Sequence, residues 1–223
     1  MADIRPSHSP VVVDASLPRI VRNTYLLLSM VMAVAAIGAF IGLGAGLTWS
    51  IGMWLVFMAV FIGGPFAINA AKQSDAAIWL TFAWAGAVGF LLSPLIAAYL
   101  AMPGGPAVVT NALAGTAAIF IGLSAIVLTT RRDFSFLSSF LMAGTLVAIV
   151  GIVALLFFQI PAMAVGLSAM IVLLISGFIL YDTSRMIHDG AANPVHITVS
   201  LFGNIVVLFT NLLQLLSFFS GED

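Results

Sequence analysis

The chain has 223 residues, of which 62% are hydrophobic and 7% are charged, and its formal net charge is −1. Soluble globular domains carry about 25% charged residues, so the composition excludes that class and indicates a membrane protein. The near-neutral charge argues against a nucleic-acid partner, and the absence of cysteine excludes disulfides, thiolate catalysis and cysteine-based metal sites.

Seven long apolar segments follow one another along the chain, separated by turn signals. About 20 apolar residues in a helix cross a hydrocarbon core of roughly 30 Å. The sequence therefore predicts an all-α polytopic membrane protein, with a flexible cytosolic tail over 1–22 and a transmembrane domain over 23–220. The predicted spans are 24–46, 50–70, 76–100, 108–130, 136–158, 162–182 and 196–219.

Every basic residue lies on the same side of these spans. The connections after spans two, four and six carry charge, whereas those after spans one, three and five carry none. By the positive-inside rule the charged side is cytoplasmic, which puts the N-terminus in the cytoplasm and the C-terminus in the periplasm. The basic residues are Arg5, Arg19, Arg22, Lys72, Arg131, Arg132 and Arg185.

Small residues recur at helix-packing spacings in spans one and five, at Gly38, Gly42, Gly46, Gly144 and Gly151. Such glycines let helix backbones approach closely in lipid. The pattern favours packing within one chain over a dimer interface. Span three contains Ser93 followed by Pro94, which predicts a kink whose free carbonyl is satisfied by neighbours or by the serine hydroxyl.

Asp182 is the deepest acid in the chain, at the predicted cytoplasmic end of span six. Two interpretations remain open. Asp182 is either a carboxylate that responds to protons or cations, or a helix-end carboxylate exposed to the cytosol or paired with Arg185. His188 and His196 flank a short loop with Asp189, where they form either a weak metal site or pH-sensitive hinge, or ordinary loop histidines.

Span seven carries a polar face that should point into the bundle, because an amide in lipid must find a partner. This face comprises Ser200, Asn204, Asn211 and Gln214. Span four carries a similar set of polar residues, Thr110, Asn111 and Thr116. A conduction path and hydrogen-bonded helix packing are both compatible with this pattern.

Two Gly-Leu-Ser-Ala stretches, 122–125 and 166–169, have the composition of an intramembrane serine protease motif. That chemistry needs a serine beside a histidine in a water-accessible pocket. His196 is expected at the opposite rim of the membrane from Ser168, so the two cannot form such a site. An intramembrane protease with two aspartates is also excluded, because Asp182 has no second aspartate in any span. We therefore expect no enzymatic activity, no catalytic residues and no metal or other cofactor.

Several stretches carry a resemblance to a known family. The sequence TTRRDFSFL at 129–137, followed by LMAG at 141–144, resembles a signature of the Bax inhibitor-1 family, as do GFLLSP at 89–94 and NALAGTA at 111–117. RNTYLLLS at 22–29, IHDG at 187–190 and TVSL at 198–201 resemble its bacterial YccA branch. The resemblance implies seven helices with the last near the centre, in the bacterial inner membrane.

Two functions are implied by the resemblance. Some family members are calcium leak channels gated by two aspartates on spans six and seven and an arginine on span two. Asp182 matches the first aspartate, but Asn204 stands at the second position and span two has no arginine. Asn204 can hydrogen-bond Asp182 but adds no charge for calcium. Asp182, Asn204, Arg185 and His196 are the candidate pH- and ion-sensing residues of this alternative. Calcium binding is expected under this alternative alone.

The YccA branch implies a different role, namely a poor substrate that inhibits FtsH, the ATP-dependent protease of the inner membrane. An ATPase could engage the cytosolic tail at Arg5, Arg19 and Arg22, and seven packed spans would resist extraction. This mechanism needs no charge inside the membrane. The expected partners are therefore the lipid bilayer and FtsH, and the oligomeric state stays open.

Overall fold

The computed structural model describes residues 17–48, 50–71, 76–158, 160–189 and 193–220. They form seven α-helices, each long and apolar enough to span a membrane. The predicted all-α fold with seven spans is confirmed. The helices are α1 (Leu17–Gly44), α2 (Ile51–Ala70), α3 (Ala76–Leu100), α4 (Gly105–Thr130), α5 (Leu137–Phe157), α6 (Pro161–His188) and α7 (Pro194–Ser220).

Two helices extend beyond their predicted ends on the side that carries the arginines. Helix α1 begins at Leu17, so the residues from 17 to 22 are helical, although the sequence placed them in the tail. Ile20 and Val21 pack against the core, which favours this extra turn. Helix α6 continues to His188 because Met186 is fully buried. The remaining tail, including Arg5, lies outside the described residues.

Helix α7 is the centre of the bundle. It contacts α1, α2, α3, α4 and α6, whereas α5 contacts α6 alone. Leu201, Phe202, Leu208 and Leu213 of α7 are almost completely buried, as expected for a helix that is apolar on most of its circumference. The central last helix that the family resemblance implied is therefore present.

One end of the bundle carries Arg19, Arg22, Arg131, Arg132 and Arg185 and is here called the basic end. Hydrogen bonds between segments that are far apart in sequence hold this end together. The Thr198 hydroxyl at the start of α7 donates to the Thr24 carbonyl of α1 at 3.3 Å. The Phe134 amide after α4 donates to the Ser184 hydroxyl of α6 at 2.9 Å.

The closest helix contact joins α1 to α3 through glycine. A Cβ placed on Gly38 would overlap the carbonyl oxygen of Gly86, and one on Gly89 would overlap the carbonyl oxygen of Ala35. A Cβ on Gly42 would overlap Ser93. The helices therefore meet backbone to backbone, so these glycines serve packing within the chain, as predicted. In α5, Gly144 and Gly151 make room for leucines of α6.

Two positions interrupt regular helix geometry. Gly46 has a φ of 64° just after α1 and has no neighbour around it, so this glycine serves the helix end rather than packing. Pro94 lacks an amide hydrogen and leaves the Phe90 carbonyl free within α3. The Ser93 hydroxyl donates to that carbonyl at 2.7 Å, which is one of the two solutions that the sequence suggested.

Candidate functional site at the contact of α6 and α7

Asp182 is buried where α6 crosses α7, with 7% of its surface exposed. The Ser200 hydroxyl donates to Oδ2 of Asp182 at 2.5 Å, and the Asn204 amide donates to the same oxygen at 2.8 Å. Ser200 and Asn204 are four residues apart and share one face of α7. The carboxylate is thus held by two neutral donors from the neighbouring helix.

Arg185 does not pair with Asp182. Its Nε lies 3.0 Å from Oδ2 of Asp189, and both side chains of that pair are about half exposed, at 54% and 52%. Its guanidinium lies 5.7 Å from the centroid of the Tyr181 ring. The interpretation of Asp182 as an exposed or Arg185-paired carboxylate is therefore wrong, because α6 continues past Asp182 and turns this residue toward α7.

The Asp182 site contains one carboxylate and no metal-binding cluster. Among the described residues, no group of three or more His, Asp or Glu side chains could hold a metal ion. The sequence of α2, from 51 to 70, carries no charged residue. Two carboxylates in contact share a proton and titrate as a pair. Asp182 and Asn204 can instead form a charge-assisted hydrogen bond, and this arrangement can accept one proton.

The two histidines near this site have separate environments. Nδ1 of His188 lies 3.0 Å from the Ser184 carbonyl oxygen in its own helix. His196 lies in the first turn of α7 and is partly exposed. The structure does not gather them with Asp189 into a metal-binding group within the described residues. The proposed metal interpretation therefore has no geometric support.

A second polar contact between α6 and α7 lies toward the opposite end of the bundle. There the Ser168 hydroxyl donates to the Gln214 side chain at 2.8 Å. Between it and Asp182, the buried residues Ile175, Ile179 and Leu208 pack together. An apolar layer thus separates the two polar contacts along this interface, which favours hydrogen-bonded packing over a continuous conduction path.

The other predicted polar positions do not extend the site. The Asn211 amide donates to the Val207 carbonyl of its own helix at 2.8 Å. On α4, Thr110 and Asn111 are exposed, and the Thr110 and Thr116 hydroxyls donate to carbonyls of α4 itself. The predicted interior position is therefore confirmed for Thr116, which is buried, and wrong for Thr110 and Asn111. The exposed Thr110 hydroxyl needs no partner from another helix, because it bonds one turn back.

The loop from 131 to 136 is attached to α6 by a residue that the sequence did not single out. Ser184 is 1% exposed and accepts the Phe134 amide at the end of α6. The Asp133 carboxylate accepts the amide and hydroxyl of Ser135. These hydrogen bonds hold the pKa of Asp133 below its ordinary value. The available signal was the polar run Asp182-Thr183-Ser184-Arg185 near the end of α6, which does not distinguish Ser184 from its neighbours.

Six membrane-spanning helices packed with a central α7, and one buried acid held by neutral donors across the contact of α6 and α7, define a multi-pass membrane protein. The family model described as "Inhibitor of apoptosis-promoting Bax1" matches residues 17–221. The chain belongs to this family. The resemblance identified from its sequence is confirmed.

Several bacterial proteins are similar to this chain over most of their length. The modulator of FtsH protease YccA from Escherichia coli is 40% identical, over 92% of each chain. An uncharacterised protein of Pseudomonas aeruginosa is 38% identical, over 97% of this chain and 96% of the relative. A YccA protein from another Escherichia coli strain, also 40% identical, is described as an inner membrane protein. The predicted localisation in the bacterial inner membrane is confirmed.

Proposed function

We propose that this protein modulates an FtsH protease by acting as a substrate that is extracted poorly. The observation that carries the proposal is the 40% identity to the FtsH modulator of Escherichia coli over 92% of both chains. The likeness therefore covers nearly the whole transmembrane domain rather than one motif.

The packing of α1 supports resistance to extraction. A protease that pulls on the N-terminus must first separate α1 from the rest of the bundle. Gly38 and Gly42 of α1 meet α3 at backbone distance, and α1 also contacts α6 and α7. Close backbone contacts of this kind are a main source of helix association in lipid. Removing α1 would break several of them together.

The N-terminal side of α1 supplies the place of engagement in this proposal. Arg19 and Arg22 are exposed at the basic end, and in the sequence they follow a polar segment that contains Arg5. The positive-inside rule places this end in the cytoplasm, where the ATPase domain of such a protease would act. The segment from 1 to 16 is the part of the chain that we propose the protease engages first.

Reconstituted FtsH with a degradable membrane substrate tests the proposal. Adding this protein should slow degradation of that substrate, and deleting residues 2–16 should remove the inhibition while the bundle stays folded. Gly89→Ala, which forces α1 from α3, should turn the protein into a faster substrate. Gly122→Ala is the matched control, because a Cβ there meets nothing within 4 Å. Unchanged degradation, together with failure to co-purify FtsH, would refute the proposal.

A second candidate function, a pH-sensitive calcium or proton leak, is favoured by the burial of Asp182 between two hydrogen-bond donors. Calcium and proton flux into liposomes between pH 6 and 8 would test it. This function requires flux that Asp182→Asn abolishes and that Asn204→Asp, which restores a pair of carboxylates, makes more sensitive to pH. Equal flux in all three proteins and in empty vesicles would eliminate this candidate.

A further inference from the structure

A groove with a volume of about 580 Å³ lies between α1 and α4. The backbones of α1 and α4 do not contact each other. The rings of Tyr25 and Phe120, with centroids 6.2 Å apart, meet across the gap. Residues of α3 and α7, among them Gly89 and Phe202, form the floor of the groove.

The groove opens sideways at membrane depth. Met32, Leu113 and Ile121 line it and keep 36%, 54% and 64% of their surfaces exposed. Its walls are almost entirely apolar, and small side chains such as Ala36 and Ala117 leave the space unfilled. Because every helix around it spans the membrane, the groove faces lipid rather than water.

The dimensions of the groove suit one acyl chain. From Tyr25 to Ala39 the α1 wall rises about 21 Å. A chain from one leaflet crosses half of a hydrocarbon core of roughly 30 Å, so the groove is long enough to hold it. Its volume falls within the range of roughly 300–1,000 Å³ found for pockets that hold small ligands.

Positive charge continues both walls at the basic end. Arg22 lies one turn before Tyr25 on the same face of α1 and is exposed. Arg131 is the first residue after α4, at the same end of the bundle, and is also exposed. Among the described residues, neither arginine belongs to an ion pair. The nearby Asp133 carboxylate is engaged by Ser135.

We propose that an anionic phospholipid binds here, with an acyl chain in the groove between α1 and α4 and its phosphate headgroup between Arg22 and Arg131. Apolar walls that lead to exposed cations at the membrane interface match the two parts of such a lipid. Basic sites between helices on one side of the membrane recognise anionic headgroups in this way. The proposal does not depend on the role in FtsH modulation.

Native mass spectrometry of the full chain in mild detergent tests the site. The protein is mixed with equal amounts of phosphatidylglycerol and phosphatidylcholine that have identical acyl chains. We expect phosphatidylglycerol adducts to exceed phosphatidylcholine adducts by about tenfold. Equal occupancy of the two lipids, or retention of neither, would overturn the proposal.

Two sets of variants separate the acyl and headgroup contacts. Ala36→Leu with Ala117→Leu fills the groove and should lower the occupancy of both lipids. Their controls are Ala33→Leu and Ala118→Leu, which are exposed and lie outside the groove. Lipid loss in the controls as large as in the groove variants would refute the site.

The headgroup variants change only exposed charge and do not disturb the packing of the bundle. Arg22→Gln with Arg131→Gln should reduce the phosphatidylglycerol signal to that of phosphatidylcholine. Arg132→Gln removes an exposed charge at the same end and should preserve the preference. The proposal fails if Arg132→Gln acts as strongly as the double variant. It also fails if the groove variants change the amount of a protein dimer instead of bound lipid.

Discussion

The Asn204 amide on α7 donates a hydrogen bond of 2.8 Å to the Asp182 carboxylate on α6. Both residues lie within membrane-spanning helices, and the bond joins the central helix to its neighbour in sequence. The family resemblance implies that leak channels have a second aspartate where this chain has Asn204. Here an amide holds the acid, so this contact stabilises the packing of α6 on α7 without a second negative charge.

Replacing Asn204 with leucine should lower the free energy of unfolding by about 1–3 kcal/mol, because the buried carboxylate loses a donor. Thermal unfolding in detergent would measure the change. Asn211→Leu, which removes a bond to the same helix only, should cost less. In the double variant Asp182→Leu with Asn204→Leu, the loss should be smaller than the sum of the two single losses. Additive losses would contradict a direct coupling.

Gly38→Ala should destabilise the bundle by about 1–3 kcal/mol, because the added methyl overlaps the Gly86 carbonyl and forces α1 away from α3. In contrast, Gly122→Ala has open space and should be neutral or stabilise by up to about 1 kcal/mol through helix propensity. Melting temperatures of the two variants, measured in one detergent, would check this. Equal melting temperatures for the two variants would show that α1 can move away from α3 without loss of stability.

Ser184→Ala should release the 131–136 loop from α6. The Phe134 amide loses its acceptor, at a cost of about 1–3 kcal/mol. The rate of hydrogen exchange at the Phe134 amide should increase, and the free energy of unfolding should decrease. Ser139→Ala on the exposed face of α5 provides the control and should change neither quantity. Unchanged protection of the Phe134 amide would contradict the anchoring role of Ser184.

Thr183→Val should be neutral or stabilising, within about 0.5 kcal/mol, because the buried Thr183 hydroxyl lies near the Tyr25 hydroxyl without a hydrogen bond of regular geometry. Thr198→Val removes a hydroxyl of similar burial that donates to the Thr24 carbonyl and should destabilise. Chemical or thermal unfolding of both variants would compare them. A loss of more than about 1 kcal/mol for Thr183→Val would show that this hydroxyl has a bound partner such as water.

The pKa of Asp133 should lie below its ordinary value of 3.8, because the Ser135 amide and hydroxyl donate to its charged form. A lowered pKa in the folded state contributes stability that is present above pH 3.8 and is lost as the pH falls through the folded value. Asp133→Asn should therefore flatten the acid limb of the curve of melting temperature against pH. A wild-type protein with the same acid limb as the variant would contradict this.

The sequence by itself determined the number of spans, their approximate bounds and the position of the five described arginines at one end of the bundle. These properties follow from local hydropathy, since the lipid selects apolar stretches without reference to the rest of the fold. The sequence also indicated that the carbonyl freed by Pro94 would find a donor, with the Ser93 hydroxyl as one candidate. It showed as well that position 204 carries an amide rather than a carboxylate. Each of these inferences concerns a residue and its immediate neighbours in the chain.

Only the tertiary structure decided which groups meet. In the folded bundle Asp182 accepts hydrogen bonds from Ser200 and Asn204. Arg185 pairs with Asp189 instead of Asp182. The tertiary structure also formed the groove between α1 and α4, whose walls lead toward the end of the bundle that carries Arg22 and Arg131. Helices in lipid choose partners by close packing and hydrogen bonding between segments far apart in sequence. Hydropathy does not encode these contacts. The family resemblance pointed to Asn204 as a partner of Asp182, but the contact with Ser200 and the separation from Arg185 required the packing of α6 on α7.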